Sequence, residues 1–135
     1  FPDKSFDFVI AKDVLEHVPD IEAAFREISR VGKAGMIDVP RLVSEWIWPQ
    51  VGSHEWTFSQ DDDGTLVAHK IKFTSPFGHI MHDIFAERRD VQDAWAQSRH
   101  FFHAMQFWQG EARVRIGPDA VGWPVEAKII AGAVA

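Results

Sequence analysis

The architecture follows from residues 6–39, FDFVIAKDVLEHVPDIEAAFREISRVGKAGMIDV. Residues 6–11 form a short, almost continuously apolar run, which is typical of a parallel strand covered on both faces. Residues 36–39 form a second such run, and Pro40 ends it. Between the two runs, apolar residues recur at the spacing of one helical face: Ile21, Ala24, Phe25, Ile28 and Val31. The order strand, helix, strand predicts a βαβ unit with two parallel strands.

The pattern changes after Pro40. Residues 41–50 are amphipathic and fit either a short helix or a loop. Residues 55–60 and 65–73 read as two strands, and the acidic turn Asp61-Asp62-Asp63-Gly64 between them predicts a hairpin. A helical stripe follows, made of Ile84, Val91, Ala94, Trp95, Ser98, Phe102 and Met105. A last strand is predicted over 111–116, with the side chains of Ala112, Val114 and Ile116 facing inward. The predicted fold class is therefore α/β.

Composition narrows the classes of function. The 135 residues fit one domain or part of one, and 46% hydrophobic with 25% charged residues is ordinary for a globular protein. A net charge of −6 does not favour binding to nucleic acid or to anionic membranes. The absence of cysteine excludes disulfides and thiolate metal sites. No apolar run reaches bilayer length, so we expect no membrane span and a cytoplasmic location.

Several short motifs in the first 40 residues point to a known family. They are the PDKSFD turn, the FDFV strand, the VLEHV segment, the REISRV helix end and the KAG turn. Together they resemble the second half of class I S-adenosylmethionine-dependent methyltransferases, of the methyltransferase type 11 kind. A looser resemblance to a bacterial branch, through SEW, HEW and DGTLV, extends to about residue 72. The resemblance implies a Rossmann-like sheet in which residues 6–11 are the fourth strand, residues 36–39 the fifth, and a later antiparallel pair the edge.

The resemblance also implies what this chain contributes. The family's glycine-rich loop and ribose-binding acid precede its fourth strand, and no G-x-G-x-G occurs here. Residues 1–135 are thus expected to be a single partial methyltransferase domain, the carboxy-terminal half of the sheet. Residues 1–40 would be the βαβ unit with the cofactor-side loop, and residues 41–135 the acceptor-side and edge-hairpin region. We expect a methyltransferase when full length and an inactive isolated chain. Because its sheet edge is exposed, we expect the isolated chain to form a homodimer through that edge, to aggregate or to be only marginally stable.

The residues after the first strand are the predicted site. Ligands of open α/β sheets bind outside the carboxyl ends of the strands. There the resemblance places the backbone of Ala11, Lys12 and Asp13 beside the methionyl part of S-adenosylmethionine. His17 is the candidate general base, because an imidazole suits removal of a proton from an acceptor hydroxyl or amine. The alternative for His17 is a histidine at a helix start, bonded to backbone.

Metal binding is a second use of the same segment. Some ubiquinone-type O-methyltransferases hold a divalent cation on an acid-x-x-Glu-His arrangement, to which Asp13, Glu16 and His17 are similar. We prefer a local role for Glu16, so no metal is predicted. Two further histidine pairs have helical spacing: His79 with His82, and His100 with His103. In a chain with seven histidines this spacing is common by chance, and partly buried histidines are the preferred interpretation.

Aromatic residues suggest the acceptor pocket. The chain has six tryptophans and eleven phenylalanines, and Trp48, before Pro49, is the candidate for lining an apolar or ring-shaped substrate site. The predicted function is methyl transfer to a small-molecule, lipid-precursor or sugar acceptor. Two alternatives stay open: a non-catalytic methyltransferase-like domain that binds a partner, and a histidine-rich metal-binding module.

Overall fold

The computed structural model describes residues 1–47, 53–74 and 78–121, and the fold class is α/β as predicted. The elements are β1 (Val9–Lys12), a 3₁₀ turn (Leu15–His17), α1 (Ile21–Val31), β2 (Ala34–Pro40), α2 (Leu42–Ile47), β3 (Trp56–Gln60), β4 (Leu66–Lys70), α3 (Gly78–Glu87), α4 (Arg89–Gln97), α5 (Arg99–Phe102), β5 (His103–Gln109) and β6 (Val114–Ile116). None of the helices in these ranges has the length and apolar character that a bilayer crossing requires.

The first sheet contains the predicted βαβ unit. Its strand order is β1-β2-β5, and β1 runs parallel to β2 with Ala11 opposite Ile37. Helix α1 connects the two strands and buries the predicted apolar face. Its N-cap is Asp20, whose carboxylate accepts a 2.8 Å hydrogen bond from the N–H of Ala23. The parallel strand–helix–strand prediction is therefore confirmed.

A glycine allows the first sheet to pack tightly. A Cβ on Gly35 would lie 2.4 Å from the carbonyl oxygen of Val9 and 2.7 Å from the Trp108 ring. Any other side chain would push β1 or the indole away, so only glycine fits between the two.

Strand β5 corrects the sequence prediction. The helical stripe was predicted to reach Met105, but α5 ends at Phe102 and residues 103–109 pair antiparallel with β2. Burial alternates along β5, with Ala104 and Trp108 inside and Phe107 outside. Pairing with β2 buries one row of side chains and satisfies the strand's backbone groups, which outweighs a local helical pattern.

The predicted hairpin is also confirmed, but it belongs to a second sheet of order β3-β4-β6. Phe58 and Leu66 are almost completely buried there, and Gly64 takes a φ of 84° in the turn. The antiparallel position beside β2 is filled by β5 instead. Strand β6 pairs parallel with β4 and is shorter than predicted. Ile116 is 47% exposed rather than inward, since β6 lies at the edge of this sheet.

Candidate functional site

A cavity of about 370 Å³ opens at the carboxyl ends of β1 and β2. Its position is the one where open α/β sheets bind ligands. Its walls are built from the first sheet and the turn after β1, from the loop before β3, and from helices α2, α3 and α4. The lining residues are Asp13, Glu16, His17, Pro40, Ser44, Glu45, His54, Phe85, Trp95 and His103.

One wall carries an ion-pair cluster centred on Arg99. Its Nη2 donates to both carboxylate oxygens of Asp13, at 2.7 and 2.8 Å, and its Nε donates to Oδ2 of Asp38 at 3.1 Å. His103 Nδ1 lies 2.9 Å from Oδ1 of Asp38. Burial lowers the pKa of His103, and the Arg99 charge lowers it further, against the opposing effect of the two carboxylates. The cluster ties α5 to the ends of β1 and β2.

The backbone of Asp13 is held at the strand end. Its φ of 53° lies in the left-handed region, which aspartate tolerates better than most residues. Its N–H donates to the carbonyl oxygen of Asp38 at 3.1 Å. These contacts fix the turn that leads from β1 into the cavity wall.

A second part of the cavity lining carries two oriented imidazoles. His17 Nδ1 lies 2.7 Å from the carbonyl oxygen of Ser53, and His54 Nδ1 lies 2.7 Å from Oε1 of Glu45. Carbonyl and carboxylate oxygens only accept hydrogen bonds, so each Nδ1 carries the proton and each Nε2 presents a lone pair. The two rings meet edge to face with centroids 4.7 Å apart.

Glu16 lies between the two imidazoles. Its side chain is 2% exposed, and its Oε1 is 3.9 Å from Nε2 of both His17 and His54. Burial raises the pKa of Glu16, while its backbone hydrogen bond and the two histidines oppose that effect. Its Oε2 has no hydrogen-bond partner within the described ranges. A buried carboxylate beside two imidazole lone pairs can act on a proton or a cation.

The structure places only some of the predicted site residues in the cavity wall. Ala11 is buried within β1 and Lys12 is exposed at its end, whereas Asp13 and His17 line the cavity. Trp48 lies outside the described residues. The roles proposed for these residues stay predictions.

The alternative metal-ligand set of Asp13, Glu16 and His17 is only partly brought together. Glu16 and His17 meet, but their third neighbour is His54, while the carboxylate of Asp13 pairs with Arg99. The histidine pair at 100 and 103 does not share a helical face, because His103 already belongs to β5. Of the other pair, His82 is exposed on α3 and the side chain of His79 lies outside the described part of the chain.

Sequence reasoning missed several residues of the site. They are Asp38, Glu45, His54 and Arg99, whereas His103 was named only as the partner of His100 in a histidine pair. One signal was present for His54, which begins the HEW segment of the looser family resemblance. A second was present for Asp38, a charged residue inside an otherwise apolar strand. Nothing local marks Arg99, because both of its partners lie more than 60 positions away.

Comparison with known proteins supports the predicted resemblance. Residues 1–37 match the model of a methyltransferase domain family. The chain is also similar to a sterol 24-C-methyltransferase from Schizosaccharomyces pombe, 31% identical over 70 residues. That match covers 52% of this chain and 15% of the relative, so the chain spans only a small part of that protein's length. No solved structure matches significantly. The resemblance to class I S-adenosylmethionine-dependent methyltransferases is thereby confirmed for the start of the chain.

Proposed function

We propose that this chain is the part of an S-adenosylmethionine-dependent methyltransferase that carries the methyl-acceptor site. The observation that carries the proposal is the cavity at the carboxyl ends of β1 and β2, with oriented imidazoles in its wall. The methyltransferase match supports it, because residues 1–37 include the β1 end and the turn with His17.

The donor side of the proposed site is the end of β1. S-adenosylmethionine supplies a methyl group already activated on a sulfonium. The backbone of Ala11, Lys12 and Asp13 is the part of this chain that would meet its methionyl group. The held turn at Asp13 fits that task, because its N–H is bonded to Asp38 and its side chain to Arg99. We further infer one partial domain, with residues 1–40 on the donor side and 41–135 on the acceptor side.

The acceptor side is the cavity itself. Its volume of about 370 Å³ lies in the range of small-molecule sites. Trp95 and Phe85 form an aromatic wall, in which Trp95 stacks on Phe102 at a centroid distance of 4.0 Å. An apolar wall facing polar groups suits a small acceptor with a hydrophobic body and one reactive polar end. The sterol in the relative's name makes a lipid the first acceptor class to assay, ahead of sugars.

His17 is the proposed proton acceptor. Its Nδ1 is engaged by Ser53, and its side chain is 42% exposed, so Nε2 is accessible from the cavity. A neutral imidazole near physiological pH removes a proton from a hydroxyl or amine as the methyl group arrives. His54, held by Glu45, is more enclosed and is positioned to support the ring of His17.

The test is methyl transfer by the full-length gene product. We expect His17→Gln to lower turnover at saturating acceptor roughly 100-fold or more, as loss of a general base does. The Kd for S-adenosylmethionine, measured by calorimetry, should stay unchanged. The matched control is His100→Gln, since His100 is exposed and does not line the cavity. Unchanged turnover in His17→Gln would remove His17 from the mechanism.

The same assay separates an enzyme from a binding module. If the full-length product binds S-adenosylmethionine but transfers no methyl group to any lipid, sugar or amine acceptor, the non-catalytic alternative is favoured. We expect the isolated 135-residue chain to bind S-adenosylmethionine poorly and to be inactive. Calorimetry with the cofactor checks the binding, and the methyl-transfer assay checks the activity.

A further inference from the structure

Three metal-ligating side chains converge beside the cavity. They are Glu16, His17 and His54, and one donor atom of each lies within 4.8 Å of the other two. Two of these distances, from Oε1 of Glu16 to each Nε2, are 3.9 Å. Glu16 and His17 come from the turn after β1, whereas His54 precedes β3, so the fold and not the local sequence creates the group.

The imidazoles are already oriented as metal ligands. A metal-binding histidine typically donates its other ring N–H to a carbonyl or carboxylate, which fixes the tautomer and the ring plane. His17 does so toward the carbonyl of Ser53, and His54 toward Glu45, whose side chain is 4% exposed. Both Nε2 lone pairs are thereby directed to the side where the Glu16 carboxylate lies.

The carboxylate needs a partner that the described residues do not provide. Oε2 of Glu16 is buried without a hydrogen bond in the described part of the chain. An unpartnered buried carboxylate oxygen is costly, and its cost is removed when a cation binds it. This observation is independent of the spacing of the histidines, and it points to a ligand at the same place.

We propose that Glu16, His17 and His54 form a binding site for a divalent transition-metal ion, with Zn²⁺ the best match. Two imidazoles and one carboxylate are a donor set that Zn²⁺ accepts, whereas Mg²⁺ prefers oxygen ligands and octahedral geometry. Tetrahedral Zn²⁺ needs donors about 3.4 Å apart, so the two 3.9 Å distances, and the third distance of at most 4.8 Å, must shorten by rotation of the side chains. The remaining coordination position faces the cavity, because His17 lines it.

The site does not depend on the proposed methyl transfer. Nε2 of His17 cannot bind a metal and accept a proton at the same time, so the metal-bound and metal-free forms use this atom differently. Metal binding is therefore measured separately from methyl transfer. A negative result for the metal site does not disprove methyl transfer, and a negative result for methyl transfer does not disprove the metal site.

The experiment is calorimetric titration of Zn²⁺ into tag-free, chelator-treated full-length protein. We expect one ion per chain, and roughly tenfold or greater weakening in each of Glu16→Gln, His17→Gln and His54→Gln. Glu45→Ala should also weaken binding, by roughly 10-fold to 100-fold, because it removes the acceptor that orients His54. His100→Gln is the matched control and should bind as the parent does. Mg²⁺ should give no comparable heat.

Two results would overturn the proposal. One is the absence of a one-to-one Zn²⁺ complex in the parent protein. The other is a complex that persists unchanged in His17→Gln and His54→Gln, which would place the ion elsewhere. Because Glu16 is buried, each variant is first checked by circular dichroism and thermal unfolding. His17→Gln changes a side chain that is 42% exposed and remains decisive if Glu16→Gln does not fold.

Discussion

Partners distant in the chain provide most of the contacts of the acids and histidines in the cavity. Asp13 and His17 lie four positions apart, yet Asp13 pairs with Arg99 while His17 faces Glu16 and His54. The left-handed turn at Asp13 separates them, because it directs the chain from the strand end into the 3₁₀ turn. Two clusters with different chemistry therefore stand side by side: ion pairs around Arg99, and imidazoles around a buried carboxylate.

The buried His103 predicts a pH dependence of stability. Its pKa is lowered from 6.5 by burial first and by Arg99 second, while Asp38 and Asp13 act against this. At a pH between the folded and unfolded pKa values, His103 is therefore protonated more often in the unfolded chain than in the folded chain. This contribution to stability is present above about pH 6.5 and is lost as the pH falls through the lowered folded pKa. We expect the free energy of unfolding to fall as the pH is lowered below about 6.5, as measured by urea denaturation.

The control for this prediction is His103→Gln. Glutamine can still donate a hydrogen bond to Asp38 but does not titrate. The buried Glu16 has a raised pKa and contributes a slope of the opposite sign, which is common to both proteins and cancels in their difference. The parent should lose more stability on acidification than the variant. If the free energy of unfolding changed with pH in the same way in both proteins, His103 would not be the cause of the loss of stability.

Strands β1 and β2 of the first sheet pack closely against each other and against the side chain of Trp108 at Gly35. At Gly35 the strands β1 and β2 and the indole of Trp108 meet with no room for a Cβ. The helix α1 covers the same region, where Ile21 and Phe25 are 2% exposed. The crossover unit therefore depends on a small residue in the central strand as much as on the apolar stripe of its helix.

Gly35→Ala should destabilise the protein through this contact. The added methyl group would lie 2.4 Å from the Val9 carbonyl oxygen, so β1 must shift away from β2. We expect a loss of about 1–3 kcal/mol in the free energy of unfolding, as for other overpacked sites, measured by urea denaturation.

Gly110→Ala is the control that distinguishes a steric clash of the added methyl group from the cost of a left-handed backbone conformation. Gly110 has a φ of 80°, but no neighbouring atom lies within 4 Å of the position that an alanine methyl group would take. The alanine there should cost only the left-handed conformation, about 1–2 kcal/mol. If Gly35→Ala were harmless while Gly110→Ala was not, the tight packing of β1 on β2 would be disproved.

At the scale of the entire chain, the first sheet leaves one face uncovered in the described residues. Ile10 pairs with Met36, and Met36 pairs with Phe107, so these three side chains form a row across the sheet. Ile10 is 66% exposed and Phe107 is 69% exposed. Strand β1 is also an edge strand, with β2 on one side only among the described strands. An apolar face beside an open edge favours association.

We expect the isolated chain to associate with a second copy through this face and edge. Light scattering coupled to size-exclusion chromatography should show a mass that rises with concentration. Phe107→Lys should shift the chain toward monomer, because a charge on the face must be desolvated in the complex. Gln109→Lys adds the same charge on the same strand but removes no large apolar group, so it should have a smaller effect. A monodisperse monomer at every concentration would refute this expectation.

Local patterns alone were enough for the βαβ unit and the hairpin. The apolar strand runs, the helical stripe of α1 and the turn at Gly64 are each encoded within a few neighbouring residues. Hydrophobic periodicity and turn chemistry report on such elements, because each element buries its own regular face. The position of the site at the end of β1 followed from the same reasoning and from the family resemblance.

Contacts between distant segments of the chain decided the position of β5 and the composition of the cavity wall. Strand β5 begins within the last positions of the predicted helical stripe, since β2 offered it a backbone partner. His54 reached Glu16 and Arg99 reached Asp13, the latter across 86 positions, and no local pattern records such a meeting. The contribution of these groups to stability depends on their burial and on partners that only the folded chain brings together. The sequence therefore located the part of the cavity that follows β1, and folding supplied the residues that complete its lining.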